Sequence, residues 1–162
     1  MTNTPTFDLD AVHRFFSADC FNRTWDLIEA TDRSLEDDLR MLALSQASIF
    51  HWMNRPDVSD RNRSVGYWQA SRVLALVEQF AAAKWHAEIS LRYAAALGPF
   101  FRGYAYEALA RAAIGAGDLD GAAECLDRAR TLAAEIPDAE DRGLLDNDIA
   151  ALAAAIVEAK RA

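Results

Sequence analysis

Apolar side chains recur three or four residues apart along most of the chain, and this spacing predicts seven helices and an all-α fold. The first helix is expected over about residues 8–29, with Phe15, Phe16, Cys20 and Trp25 on its apolar side and a bend near Ser17. A second opens at the box Ser34-Leu35-Glu36-Asp37 and carries Leu35, Leu39, Leu42 and Ile49 as far as about Met53, where Arg55-Pro56 stops it. Residues 55–64, RPDVSDRNRS, are polar and predict the longest loop. The third and fourth helices are expected over about 64–82 and 84–97. Gly98-Pro99 ends that pair, with Pro99 suited to the first turn of the next helix. The fifth and sixth lie within 103–137. The last starts from an Asp138 cap, presents Ile149, Leu152, Ile156 and Val157, and places Lys160 and Arg161 at the negative end of its dipole.

Within 103–137, two helical stretches are joined by Gly117-Asp118-Leu119. Gly117 suits the positive φ that ends a helix, and the Asp118 carboxylate suits the free amides that open the next. Ala110, Ala122 and Ala129 are small where helices must touch, and Leu109 and Leu126 are large and apolar. The segment therefore resembles one tetratricopeptide unit, although Tyr106 stands where the family often has Trp, Ala113 replaces a common Tyr and the terminal Pro comes late, at Pro137. Shifting the chain by 35 residues superposes Ala70, Leu74, Ala75, Ala81, Ala87, Leu91, Ala94 and Leu97 on apolar positions of this unit, which suggests a second, degenerate copy. The resemblance implies a single domain over 1–162: antiparallel hairpins stacked as a short right-handed superhelix, two tetratricopeptide-like units over about 65–137, and a capping helix over 138–162.

Composition fits a helical domain: hydrophobic residues make up 52% and charged residues 26%, with only seven Gly and four Pro. A chain this long buries roughly 70% of its unfolded surface, enough for one core. No apolar stretch approaches the ~20 residues that span a bilayer, and MTNTPTFDLD lacks the basic and apolar regions of a signal peptide, so no membrane association and a cytoplasmic location are expected. The net charge of −8 disfavours nucleic acid as a partner. Cys20 and Cys125 are far apart and are read as reduced thiols, with Cys125 buried on the face of Ala122 and Ala129. All 16 Phe, Trp and Tyr lie between Phe7 and Tyr106, which suggests N-terminal helices held apart by large rings, around either an aromatic core or a pocket.

Candidate chemistry is sparse. His13, His51 and His86 are isolated, no metal-ligating or phosphate-binding motif occurs, and the acidic clusters Glu36-Asp37-Asp38 and Glu140-Asp141 sit where helices begin. The expected role is non-enzymatic, without cofactor or metal. It is a scaffold that binds a protein or peptide through the concave face. Carried over position by position, the resemblance places Gln69, Arg72, Val73 and Leu76, then Tyr104, Glu107, Ala108 and Arg111, on that face. Gln69, Arg72, Tyr104, Glu107 and Arg111 are the partner-binding candidates, Arg72 or Arg111 forking a carboxylate or phosphate. Glu107 and Arg111, four apart, also read as a simple surface pair. An alternative is a small-molecule pocket built from His51, Trp52, Trp68 and Arg72. A homodimer through the apolar end faces of the stack is a further expectation.

Overall fold

The computed structural model describes residues 7–161, and within them the chain forms seven α-helices and no strand: α1 (Leu9–Glu29), α2 (Leu35–Met53), α3 (Asp60–Leu76), α4 (Phe80–Ala94), α5 (Pro99–Gly115), α6 (Leu119–Ala133) and α7 (Ala139–Ala159). The starts follow local chemistry. The carboxylates of Asp8, Asp118 and Asp138 accept from the amides of Ala11 (3.1 Å), Gly121 (3.0 Å) and both Glu140 and Asp141 (2.9 Å). Ser34 and Asp37 close a reciprocal capping box, with bonds of 3.2 and 3.0 Å. α1 runs unbroken past Ser17, whose hydroxyl donates to the Arg14 carbonyl.

Two expectations fail in the middle of the chain. The 55–64 loop is shorter, because Ser59 and Asn62 form a second capping box that starts α3 at Asp60. The following turn lies at residues 77–79, earlier than the spacing suggests. Glu78 takes the left-handed conformation (φ 61°) and the Gln79 amide donates to the Leu74 carbonyl at 2.8 Å. Gly117 (φ 79°) closes the α5–α6 turn in the same way, the Asp118 amide donating to the Ala113 carbonyl at 2.9 Å. The two turns correspond at residues 78 and 117, so the 35-residue register is out of step by about one helical turn. A non-glycine residue at positive φ is strained by ~1–2 kcal/mol. Glu78→Gly is therefore expected to stabilise the fold by about 1 kcal/mol, after the larger unfolded-state freedom of glycine, and to raise Tm by roughly 2–4 °C in thermal melts.

Consecutive helices pack as antiparallel pairs, α1 with α2, α3 with α4 and α5 with α6; α2 meets α3, α4 meets α5, α3 also meets α5, and α7 lies across α5 and α6. The C-terminal core is built from Ala110, Ala122, Leu126, Ala129, Ala133, Ile136, Leu145, Ile149, Leu152 and Ile156. Alanines at the contacts let helix axes approach closely.

The N-terminal half is also closely packed, through small hydroxyl residues rather than rings. Buried Ser48 donates to the Ser17 carbonyl, Ser71 to that of Ala83 and Ser90 to that of Ser64, each at 2.8 Å. No Phe, Trp or Tyr among the described residues is fully buried, so the rings form no enclosed aromatic core. Phe15, Phe50 and Trp85 are more than half exposed, and the aromatic side chains instead line the surfaces between helices. No helix among the described residues is long and apolar enough to cross a membrane.

Candidate functional site

Arg61, Val65, Trp68 and Arg72 follow one another at the i, i+4, i+7, i+11 spacing that keeps side chains on one stripe of a helix, here α3. The stripe runs between α1 and α5. Trp68 stands 5.6 Å from the Trp25 ring of α1 and 5.2 Å, edge to face, from the Tyr104 ring of α5. The outer members of the stripe are guanidiniums laid over rings: Arg61 is 5.3 Å from the Phe101 centroid and Arg72 is 5.5 Å from that of Trp25. At 1.5 Å per residue, about 16 Å of helix separates these two cations. Neither pairs with a carboxylate of the described residues, whereas the neighbouring Arg55 and Arg63 are engaged by Asp57 (2.8 Å) and Asp60 (3.0 Å). The hydrogen bond from Arg55 holds the Asp57 carboxyl down at about 2.

Two recesses flank the stripe and share Val65. One, of about 170 Å³, is lined by Ser64, Val65, Trp68, Ser90, Phe100, Phe101 and Tyr104. The other, of about 200 Å³, lies toward α1, where Phe21, Asn22, Trp52 and Arg61 are among its walls.

Beneath Trp68, Glu107 is fully buried. Its carboxylate accepts from the Trp68 indole N–H at 3.2 Å and from Arg111 Nε at 3.0 Å, with a second Arg111 nitrogen on the same oxygen. The pair is no solvated surface contact. It is an internal ion pair that fixes the indole between α3 and α5. Burial pushes the Tyr104 phenol well above its usual value, the negative charges of Asp148 and Glu107 push it further, and Arg72 opposes them. Tyr104 therefore stays protonated at neutral pH, a hydrogen-bond donor rather than a base.

The partner-binding candidates thus fall into two groups. Arg72, Tyr104, Glu107 and Arg111 gather around Trp68, with Arg72 and Tyr104 half-buried at the surface and Glu107 inside it. Gln69 points elsewhere: it is buried and its amide donates to the Phe21 carbonyl at 2.9 Å, tying α3 to α1. Val73 and Ala108 are buried as well, so the inward positions carried over from the resemblance include helix contacts.

The alternative pocket does not assemble. His51 Nδ1 lies 2.9 Å from His13 Nδ1 beside Phe16 and Phe50, Trp52 is covered by the Arg55 guanidinium at 4.1 Å, and only Trp68 and Arg72 share a neighbour, Trp25. Burial, then the charge of His13, lowers the His51 pKa; burial also lowers that of His86, whose Nδ1 bonds the Ala82 carbonyl at 2.9 Å. Sequence reasoning missed Arg61, Val65, Trp25 and Phe101. The signal for Arg61 was the spacing 61, 65, 68, 72, hidden once α3 was started at about Ser64; Val65 lay inside that expected helix and was passed over.

Both cysteines are free and burial raises both thiol pKa values, which keeps them protonated; Cys125 is half-buried rather than enclosed. Among the described residues no three His, Cys, Asp or Glu side chains come together as a metal site. What the stripe offers is a surface suited to recognition: two cations about three helical turns apart, an apolar floor between them and a locked indole. Family models, curated proteins and solved structures were all compared with the chain, and none matches it.

Proposed function

We propose that this protein is a non-enzymatic helical scaffold that binds a peptide or protein partner on the surface formed by α1, α3 and α5. In this reading α3–α4 and α5–α6 stack as two tetratricopeptide-like units in a short right-handed superhelix, α7 caps the stack, and the first helix of each hairpin lines the concave side. The contacts of α3 with α5 and of α5 with α7 support it, as does the shared left-handed turn at Glu78 and Gly117. A cytoplasmic location suits two thiols held reduced.

One observation carries the binding role: Arg61 and Arg72 stand over aromatic rings at either end of the Val65–Trp68 floor without a carboxylate of the described residues to neutralise them. A protein of net charge −8 that keeps two such cations beside an apolar surface favours a segment with carboxylates flanking apolar side chains. Arg111 is occupied by Glu107, so its part is to position Trp68.

The test is affinity capture from the native host with the wild-type protein and with Arg61→Ala/Arg72→Ala, followed by titration of the captured partner. The double variant is expected to lose tenfold or more in affinity with an unchanged melting temperature, at roughly 1.4 kcal/mol per tenfold. Retention of every partner at wild-type affinity would remove this surface from consideration.

A further inference from the structure

The recess between α3, α4 and α5 has the dimensions and chemistry of a site for a single aromatic ring. Its volume is about 170 Å³. An apolar cavity of about 150 Å³ stays dry and admits benzene. Trp68, Phe100, Phe101, Tyr104 and Val65 supply the walls. The polar groups at its base, Ser64 and Ser90, satisfy each other: Ser90 donates to the Ser64 carbonyl at 2.8 Å and the two hydroxyls are 3.3 Å apart, so neither requires a water. Apolar walls that include four aromatic rings favour an aromatic guest through offset and edge-to-face contacts.

The rim adds a charge preference. Arg61 lies over Phe101, one of the wall residues, and is exposed without a carboxylate among the described residues. α5 starts at the same wall, with Gly98 and Pro99 leaving its first amides without a side-chain cap. In a 3-arylpropionate, or in a C-terminal aromatic residue, the carboxylate stands about 5–6 Å from the ring centre by ordinary bond lengths. An acid group reaching past the shared Val65 wall is directed toward the adjoining recess, which Arg61 lines.

We infer that this recess binds an aromatic carboxylate, the ring between Trp68, Phe101 and Tyr104 and the carboxylate on Arg61. The inference rests on the reading of the α1–α3–α5 surface as a binding surface and names the chemistry of its anchor. Two sources carry that chemistry: a free aryl acid, and a peptide that ends in Phe, Tyr or Trp.

The experiment is a chemical-shift titration of the ¹⁵N-labelled protein with 3-phenylpropionate, N-acetyl-L-phenylalanine and N-acetyl-L-phenylalanine amide. The acids are expected to shift the amides of Val65, Phe101 and Tyr104 with dissociation constants on the order of 0.1–1 mM, and the amide to bind about tenfold more weakly. Tighter binding of N-acetyl-L-phenylalanine than of 3-phenylpropionate identifies a peptide terminus as the ligand, and the reverse order a free acid. Arg61→Gln is expected to erase the preference for acid over amide while ring binding persists. Val65→Phe, which fills the recess, is expected to abolish both; where it alters the fold, the surface variant Arg61→Gln decides. No localised shift at 10 mM, or equal affinity for acid and amide, overturns the inference. Because the probes are small molecules and need no partner, that failure is distinct from retention of a captured partner by Arg61→Ala/Arg72→Ala.

Discussion

Leu126→Asp is expected to destabilise the protein by more than about 5 kcal/mol and to leave it largely unfolded at neutral pH. Leu126 is 1% exposed, at the centre of the cluster formed by Ala122, Ala129, Leu145, Ile149 and their neighbours. Removing its side chain forfeits about 2–3 kcal/mol of apolar burial. The new carboxylate enters a space walled by alanine, leucine and isoleucine, and the nearest basic residues along α6, Arg128 and Arg130, are exposed. Holding it neutral at pH 7 against an unperturbed pKa near 3.9 costs about 4 kcal/mol more. The whole fold is worth roughly 5–15 kcal/mol, so the sum approaches all of it. The sign with pH follows: a carboxyl whose folded pKa is raised penalises the fold least in acid, so the gap to wild type should narrow as pH falls from 7 toward 4. Leu126→Met, of similar volume, should cost under about 1.5 kcal/mol. Circular-dichroism melts of the three proteins check this, and an unchanged Tm for Leu126→Asp would mean that α6 buries a different face.

That outcome also bears on what could be read from the chain. Where a start or stop signal lies in the residues themselves, the expectation agrees with the structure: Ser34 with Asp37, Pro99, Asp118 and Asp138 open helices, and Gly117 closes one. The α3–α4 turn carries no such signal. Glu78 holds a conformation usually left to glycine, and Gln79 caps α4 without a side-chain bond. Packing imposes the reversal there, through the contact of Leu74 and Ala83 with Ala112 of α5, and a pairing so distant in sequence leaves no local trace. The aromatic bias misled as to an enclosed core for a related reason: serine hydroxyls that bond neighbouring carbonyls can be buried between helices, and half-buried rings then line the recesses beside them.

The candidate site was legible in part. The resemblance, carried over position by position, set Arg72, Tyr104 and Arg111 on one face, and the structure has all three around Trp68 and Glu107. Gln69 went astray by one position, since 68 and 72 face the groove while 69 and 73 face α1 and the core. The recess beside Phe101 was beyond reach, because its walls come from three helices whose relative placement no periodicity encodes.

Burial of Glu107 has the second large expected effect, and its sign depends on which partner is removed. The side chain of Glu107 is 1% exposed and that of Arg111 24%. Arg111→Leu leaves the enclosed carboxylate with only the Trp68 N–H, and is expected to cost about 3–5 kcal/mol. Glu107→Leu leaves a guanidinium on a flexible stem already close to solvent, which can turn outward, so the expected cost is smaller, about 2 kcal/mol, mostly from the orphaned indole N–H. The double replacement Glu107→Leu/Arg111→Leu removes both charges together and should cost no more than Glu107→Leu alone, a coupling of several kcal/mol in a double-mutant cycle. Chemical denaturation of the four proteins measures it. Arg111→Leu within 0.5 kcal/mol of wild type would show that the carboxylate reaches water and that the pair does not fix Trp68. With the expected order, the ion pair is what holds the indole edge-on to Tyr104 and keeps the floor between Arg61 and Arg72 in place. In that case Glu107→Leu/Arg111→Leu should fold and yet bind its partner more weakly, since Trp68 is then free to leave the geometry in which it lines the recess.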